Sequence, residues 1–236
     1  MTEGDKKMAY RIYQYLGALF ITSLVVSNLI FQKFFSWHPF GDVHVFGASL
    51  FEVSVGILPY PITFLITDLI SEIYGKKKAN QVVTAGIFAS FFSMGIVLVA
   101  DLAPAIPSSP VDDVQFSRVF ALSPIAVFAS MIAYLCAQYV DIAIYHFWKK
   151  VTGGRHLWIR NNFSTFTSQF IDTVLVVGLL CVFGVLPWAL FRGLVISGFI
   201  FKILIALLDT PFLYFFVYIL RKRFNIKEND EIRLEF

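Results

Sequence analysis

The chain has 236 residues, of which 58% are hydrophobic and only 15% are charged. A soluble domain carries about 25% charged residues, and the mean hydropathy here is +0.73, so the composition indicates an integral membrane protein and argues against a soluble one. The net charge is only +3, and the basic residues flank apolar runs instead of forming a stripe, so we predict no nucleic-acid partner. Cys136 and Cys181 lie inside apolar segments and are interpreted as packing residues.

Six apolar runs are long enough to cross a bilayer, because a spanning helix needs roughly 20 predominantly apolar residues. We predict an all-α integral membrane protein that forms one domain over residues 1–236, with spans at residues 12–31, 46–73, 82–102, 119–147, 163–186 and 190–220. The first run has no cleavage motif after its apolar core, so it is interpreted as a retained span and not as a signal peptide. The lipid bilayer is therefore a predicted partner of the chain.

The second apolar run is interrupted by a Pro-Tyr-Pro sequence at residues 59–61. We interpret it as one kinked span; two half-helices that meet at the break are the alternative, since transporters use such broken helices near their sites. The run contains Glu52, which we place nearer the outer side, and the pair Asp68 and Glu72, which lie four residues apart. Two like charges at this spacing are unfavourable without a donor nearby, and Lys76 is the obvious local partner.

Lys and Arg are concentrated at the two ends of the chain and in the loops that follow the second and fourth spans. Cytoplasmic loops carry such an excess, so both termini are predicted to be cytoplasmic, in agreement with an even number of spans. Since no segment outside the predicted spans is long enough to fold an ATPase, we expect no ATPase module.

A dense set of polar side chains marks the stretch from Trp158 to Thr173, which leads into the fifth span. Inside a membrane each such group must find a partner or cost free energy. The stretch therefore predicts one wall of a cavity, with Arg160 and Asn161 at its inner mouth.

The fourth and fifth spans share a pattern of Gln, an aromatic residue, an aliphatic residue and Asp, from Gln138 to Asp141 and from Gln169 to Asp172. Each Gln and Asp are three residues apart and therefore share a helix face. The pattern predicts that two neighbouring helices present matched amide and carboxylate groups to a common cavity. Interhelical hydrogen bonding without a ligand is the alternative.

Lys202 and Asp209 lie seven residues apart in the sixth span, about 10.5 Å along a helix, and share a face. Lys202 is expected to be neutralised by a carboxylate such as Asp172, either as a fixed structural pair or as a pair that is broken and remade in transport. Charge balance or coupling is assigned to a set of charged residues in the predicted spans, namely Glu52, Asp68, Glu72, Lys202 and Asp209.

Motifs for catalysis and nucleotide binding are absent from the sequence: it has no phosphate-binding loop, no His-Glu-x-x-His zinc motif and no Gly-x-Ser-x-Gly nucleophile motif. The four histidines have no metal-ligand spacing. We therefore predict a protein that is not an enzyme and that needs no metal or other cofactor.

Four segments, in order from the second to the sixth span, carry a resemblance to known proteins: Asp68-x-x-x-Glu72-x-Tyr74-Gly75, Gln138-x-x-Asp141, the block from Trp158 to Thr173, and Lys202 with Asp209-Thr210-Pro211. They resemble the queuosine-precursor transporters, a family of the vitamin-uptake-transporter type. The resemblance implies six helices similar to the substrate-binding subunits of energy-coupling-factor transporters, working without their ATPase module. It also implies import of 7-deazaguanine precursors of the tRNA base queuosine, or of queuine, across the inner membrane.

A 7-deazaguanine base is planar and presents adjacent N–H donors on one edge. A carboxylate can accept two of these donors and an amide can pair with the carbonyl and ring nitrogen. Aromatic side chains can stack on the ring, which is worth about 1–3 kcal/mol per base in nucleic-acid sites. The predicted substrate-binding set is Gln138, Asp141, Asn162, Gln169 and Asp172.

Two alternatives stay open at this point. One is transport of another purine-like or vitamin substrate, and the other is a structural or assembly role in which the polar residues only join helices. A homo-oligomer is compatible with each of them.

Overall fold

Seven α-helices form most of the computed structural model, which describes residues 2–31, 33–36, 41, 44–45, 48–49, 52–120, 124–153, 155–184, 186–227, 230–232 and 234. In chain order the helices are α1 (Glu3–Ile30), α2 (Tyr60–Ile73), α3 (Lys76–Asp101), α4 (Asp113–Phe120), α5 (Pro124–Val151), α6 (Leu157–Val182) and α7 (Phe191–Phe224). Six of them are long and apolar enough to cross a membrane, α2 together with the helical turn Val55–Ile57 before it. The predicted six-span, all-α architecture is confirmed.

The second span is shorter than the predicted range 46–73. Four short strands precede it, β1 (Phe34–Ser36), β2 (His44–Val45), β3 (Ala48–Ser49) and β4 (Glu52–Ser54); β1 pairs with β4 and β2 with β3, both antiparallel. Pro59 and Pro61 disfavour helix in the residues before them, so α2 begins at Tyr60 with proline in its first turn. Residues 55–73 form one span with a break before Tyr60, as the interpretation of one kinked span expected. Its predicted length was wrong, because residues 48–49 and 52–54 are strands; the predicted start at residue 46 lies outside the described residues.

Glu52 consequently lies in a strand opposite Ser36 and not within a spanning helix. Its expected place among the carboxylates inside the spans was wrong. Valine alternates with small and polar residues around Glu52, and this pattern favours a strand. The prediction used only the total hydrophobicity of the run and therefore missed the pattern.

Three other helices start earlier than predicted, and one of them is α3, which begins at Lys76 and not at residue 82. The helix α1 begins at Glu3 because Thr2 caps it: the Thr2 hydroxyl accepts from the Asp5 amide at 3.2 Å, and the Asp5 carboxylate accepts from the Thr2 amide at 3.2 Å. The helix α6 begins at Leu157, six residues before the predicted start. Arg160 and Asn161 therefore lie inside this helix and not in the segment before it.

The start of α1 and the end of α7 lie at the same end of the bundle, which we name the terminal end; the other is the distal end. Arg223, in the last turn of α7, forms an ion pair with Asp5 in the first turn of α1 at 3.2 Å. The amide of Ile232 in the tail donates to the carbonyl of Ile73 at the end of α2, at 2.7 Å. Lys149, near the end of α5, contacts the tail as well.

The helices turn polar side chains inward and apolar side chains outward. On α6 the buried residues include Arg160, Asn161, Asn162, Ser164, Thr165, Ser168, Gln169, Asp172 and Thr173, whereas Trp158, Phe163 and Phe170 are exposed. Large apolar side chains are also exposed on the outer faces of α3 and α7. This inverted arrangement fits an apolar surrounding, where lipid covers the outer face and polar groups must satisfy one another inside.

Candidate functional site

A cavity of about 190 Å³ lies between α1, α2, α3, α5, α6 and α7. About 10–15 Å³ suffices for one water, so the cavity has room for a small organic molecule. It extends from Asp172, near the middle of α6, towards the distal end. The lining residues are Leu24, Ser27, Asn28, Phe31, Ser54, Gly56, Ile57, Tyr60, Ile87, Ser90, Ser130, Met131, Tyr134, Asp172, Val176 and Lys202.

Asp172 is the carboxylate of this cavity and is only 3% exposed. Its Oδ2 accepts from the Tyr60 hydroxyl at 2.7 Å and from the Lys202 ammonium at 2.5 Å. Its Oδ1 has no hydrogen-bond partner among the described residues. The ion pair therefore neutralises Asp172 and leaves its other oxygen as a buried acceptor without a partner. Lys202 thus forms its ion pair with Asp172. Among the described residues it forms none with Asp209.

Aromatic rings form one wall. The Tyr60 and Tyr134 rings have centroids 5.4 Å apart in an edge-to-face arrangement, and Phe64 packs against both at 5.3 and 6.2 Å. The Lys202 ammonium lies 5.1 Å from the centre of the Tyr60 ring, close enough for a cation–π interaction. Gln138 donates to the Tyr134 hydroxyl at 2.8 Å and so orients this wall from outside the cavity.

The opposite wall carries an amide from α1. Asn28 donates to the Ser90 hydroxyl on α3 at 3.4 Å, and the neighbouring Ser27 hydroxyl donates to the carbonyl of Gly56. A carboxylate with its cation, two tyrosines and an amide thus surround one space. This is a set of groups that can bind a flat polar ring from its edge and its faces.

The two Gln-and-Asp pairs do not share that space. Because α5 and α6 are antiparallel neighbours, the same sequence pattern runs in opposite directions along them. Asp141 lies beside Ser168, whose hydroxyl donates to its Oδ1 at 2.9 Å, and Asp172 lies four residues, about 6 Å, further along α6. The predicted common cavity for both pairs was wrong: Asp172 lines it, and Asp141 lies nearer the terminal end.

Asp141 is instead next to another carboxyl group. The side chains of Asp68 and Asp141 lie within hydrogen-bonding reach of each other, and both are buried. Asp209 is half-buried nearby and lines two small cavities, of about 10 and 20 Å³; Asp68 lines the first and Gln169 the second. Gln169 is thus adjacent to the main cavity and outside its lining.

Glu72 is the centre of a charged cluster at the terminal end. Its carboxylate accepts from Arg160 at 2.7 Å, from Arg221 and from the Tyr145 hydroxyl at 2.8 Å, and the Lys149 ammonium is 3.9 Å away. Lys76, the partner that the sequence suggested, is an exposed residue. The expectation was wrong because it counted only neighbours on the same chain segment, whereas tertiary packing supplies stronger donors.

Arg160 is therefore a buried counter-charge, with 2% of its surface exposed. The prediction that it and Asn161 line an open inner mouth was wrong for this conformation. Asn161 and Asn162 are also buried, and both contact Thr210 on α7 through hydrogen bonds of 3.5 and 3.2 Å. These amides join α6 to α7 below the cavity and do not line it.

Several residues of the site escaped the sequence prediction. Tyr60 and Tyr134 carry no signal among the many aromatic residues of this chain, and Arg221 lies in a basic run that resembles an ordinary cytoplasmic flank. Asn28 did offer a signal, because an amide in an otherwise apolar span is costly without a partner.

Comparison with known proteins assigns the chain to a family. Residues 54–216 match the model of a family described as "Putative vitamin uptake transporter". A Bacillus subtilis (strain 168) protein described as "Probable queuosine precursor transporter" is 26% identical over 173 residues, which are 73% of this chain and 73% of that protein. No solved structure matches, and the likeness to energy-coupling-factor subunits stays a prediction. Because the family model covers well over half of the chain, this multi-pass membrane protein belongs to the vitamin uptake transporter family.

Proposed function

We propose that the protein imports a queuosine precursor, a 7-deazaguanine base or queuine, across the inner membrane. The observation that carries the proposal is the state of Asp172: one of its oxygens is held by Lys202 and Tyr60, and the other has no partner among the described residues although it belongs to a cavity-lining carboxylate. The printed name of the Bacillus relative supports the same substrate class.

The cavity chemistry fits the edge of a guanine-like ring. Adjacent N–H groups of such a base can donate to the carboxylate of Asp172, and charge-assisted hydrogen bonds of this kind are about twice as strong as neutral ones. Tyr60 and Tyr134 offer ring contacts, and Asn28 can donate to or accept from the remaining polar atoms. In this proposal Asp172 binds the substrate directly, and Gln138 and Gln169 support the walls.

The position of the cavity along the bundle supports alternating access. On the distal side the cavity extends to Ser54 and Gly56, whereas on the terminal side the Glu72 cluster and the carboxyl groups of Asp68 and Asp141 fill the bundle. The basic residues gathered at the terminal end support a cytoplasmic position for both termini. Substrate would then enter from the distal side and leave after the Glu72 cluster separates.

Asp172→Asn tests this proposal in a strain that lacks both synthesis and uptake of queuosine precursors. The wild-type protein is expected to restore queuosine in tRNA with a supplied precursor. Asp172→Asn should abolish the restoration at normal membrane expression, because the neutral amide accepts more weakly than a carboxylate and no longer balances the charge of Lys202. Asp230→Asn, which changes an exposed carboxylate of the tail, is the matched control. Normal uptake by Asp172→Asn would disprove the assignment of this site.

A vitamin is the second candidate substrate, favoured by the description of the family. Competition of labelled precursor uptake by guanine and by common vitamins separates the two candidates. A purely structural role predicts no rise in melting temperature with any of these compounds, whereas a ligand that binds only the folded state must raise it.

A further inference from the structure

The carboxyl groups of Asp68 on α2 and Asp141 on α5 lie within hydrogen-bonding reach of each other inside the bundle and are 3% and 0% exposed. Each has one buried oxygen without a hydrogen-bond partner among the described residues. Within the described part of the chain neither forms an ion pair. Two carboxylates that share a site away from water cannot both ionise, because the repulsion between like charges is strong at low dielectric. The pair therefore holds at least one proton.

We propose that Asp68 and Asp141 form a proton-binding site, and that its proton is the one coupled to transport. The inference that the pair binds a proton depends only on the geometry of the pair. The inference that this proton is coupled to transport rests on the transport function proposed above. This assigns Asp141 to proton binding and removes it from the substrate-binding set.

Hydrogen bonding decides which carboxyl group carries the proton. The Ser168 hydroxyl lies 2.9 Å from Asp141 Oδ1 and can donate to it, whereas the described residues offer Asp68 no such donor. Oδ1 of Asp68 and Oδ2 of Asp141 have no partner within the part of the chain that the structure describes. A proton on Asp68 turns this carboxyl group into a hydrogen-bond donor. It can then donate to Asp141, so that one shared proton gives both groups a hydrogen-bond partner.

The charged groups around the pair leave no cation to replace that proton. Glu72 on α2 and Asp209 on α7 are both negative neighbours of Asp68, and from α5 the hydroxyl of Tyr145 is directed to Glu72. The buried cations on α6 and α7 are in ion pairs with other groups, Arg160 and Arg221 with Glu72 and Lys202 with Asp172. No group of three or more metal-ligating side chains occurs in the described ranges, so a proton fits the pair better than a metal ion.

Two small cavities lie between Asp68 and the substrate cavity and share lining residues with each other. The first, of about 10 Å³, is lined by Asp68, Thr165 and Asp209; the second, of about 20 Å³, shares Thr165 and Asp209 and reaches Lys202. Lys202 also lines the substrate cavity. Spaces of about 10–15 Å³ can hold single waters, and Asp68, Asp209 and Lys202 supply polar groups between the apolar walls. In this proposal the proton passes between the substrate cavity and the pair through single waters in these spaces.

Infrared spectroscopy of the purified full-length protein in lipid nanodiscs tests the proton directly. A protonated carboxyl group absorbs separately from a carboxylate, so at neutral pH the wild type should show a protonated aspartate band. Asp68→Asn should reduce it by one group, because the proton lies on Asp68. Asp141→Asn should shift its frequency, because the hydrogen bond from the protonated Asp68 to a carboxylate is lost. Asp172→Asn should leave the band unchanged, because Asp172 is paired with Lys202. An unchanged band in both pair variants would overturn the proposal.

Should the pair variants fail to fold, the test continues with the pair intact. Asp209→Asn removes the half-buried carboxyl group outside the pair, and the protein is labelled with carboxyl-¹³C aspartate. A protonated band that shifts with this label supports the pair, and the absence of a protonated aspartate at neutral pH overturns it.

Coupling is measured in liposomes with labelled precursor. Wild-type protein is expected to exchange substrate without a gradient, and an inside-alkaline gradient of one pH unit should drive about tenfold accumulation if one proton accompanies a neutral substrate. Asp68→Asn should keep exchange and lose accumulation. Exchange without gradient-driven accumulation in the wild type would overturn the coupling role and leave the transport function standing. Absence of exchange would overturn the transport function, and the infrared result would still decide the proton site.

Discussion

Asp172 meets two requirements that conflict inside a membrane. It must be ionised to accept the N–H donors of a base, but an isolated charge at mid-membrane costs about 2.5–3.5 kcal/mol even on insertion scales. The Lys202 ammonium at 2.5 Å resolves the conflict, and the Tyr60 hydroxyl at 2.7 Å adds a hydrogen bond to the same oxygen. One residue pair thus provides both charge neutrality and a free acceptor.

Removal of only one partner of this pair should be costly. Lys202→Met leaves Asp172 as a buried charge without its counter-ion, and breaking a buried pair in this way costs about 3–5 kcal/mol. The double variant Lys202→Met with Asp172→Asn should recover a large part of that loss, because the stranded charge is gone. Melting temperatures of the purified variants in detergent measure the coupling between the two positions.

The matched control for this cycle is the exposed ion pair of Glu3 and Lys7, whose side chains are 84% and 73% exposed. Removal of Lys7 should change the melting temperature little, because such surface pairs contribute about 0–1 kcal/mol. If Lys202→Met proves as mild as the Lys7 variant, the pair is solvated and the charge argument fails.

Functional residues could be predicted from the sequence where a polar side chain occurs in an apolar segment, because burial of such a side chain costs free energy. Lys202, Asp172 and the polar block on α6 stand out for this reason, and the ion pair between Lys202 and Asp172 was one of the expected partnerships. Tyr60 and Tyr134 could not be selected, because a tyrosine is compatible with lipid headgroups, with the protein interior and with a binding site alike.

At the scale of elements, α6 divides the polar residues into three levels. Asp172 faces the substrate cavity, Ser168 contacts the pair of Asp68 and Asp141, and Arg160 reaches the Glu72 cluster. Successive levels are four or eight residues apart, about 6 and 12 Å along the helix. One helix face therefore links the binding site to the barrier at the terminal end.

The Glu72 cluster ties α2, α5, α6 and α7 together at that end. Glu72→Gln should destabilise the protein by about 3–5 kcal/mol, because Arg160 and Arg221 stay buried without their carboxylate. The measurement is the midpoint of thermal unfolding, with Glu3→Gln as the control at an exposed glutamate. A shift no larger than that of the control would show that Glu72 does not hold these helices together.

Helix periodicity predicted which residues share a face, but not their order in space. The spacing of Gln138 and Asp141 repeats at Gln169 and Asp172, and both pairs face the interior. Antiparallel packing then inverts one pair relative to the other, which a pattern within each helix does not encode. The strands around Glu52 were missed for a related reason: a long apolar run indicates burial, and burial alone does not distinguish a helix from short strands.

The whole molecule is closed at the terminal end by its own tail. Glu231 forms an ion pair with Lys149 at 2.9 Å, and the Ile232 amide donates to the Ile73 carbonyl at 2.7 Å. Gly75 has a positive φ of 83° and lies directly against the carboxylate of Glu231. Another residue here would be strained and would displace that carboxylate. The tail thus covers the end of α2, next to the Glu72 cluster.

Deletion of residues 228–236 should loosen this end without unfolding the bundle. The lost ion pair and hydrogen bond together contribute about 1–2 kcal/mol, so backbone amides at the end of α2 should exchange hydrogen about tenfold faster or more. Hydrogen-exchange mass spectrometry of the full-length and shortened proteins compares the peptide around Ile73 with a peptide from α3 near the distal end. Faster exchange confined to the first peptide is expected, because the tail contacts only the terminal end among the described residues. Equal exchange in both proteins would show that the Glu72 cluster alone closes the bundle, and faster exchange in both peptides would show that the tail stabilises the whole fold.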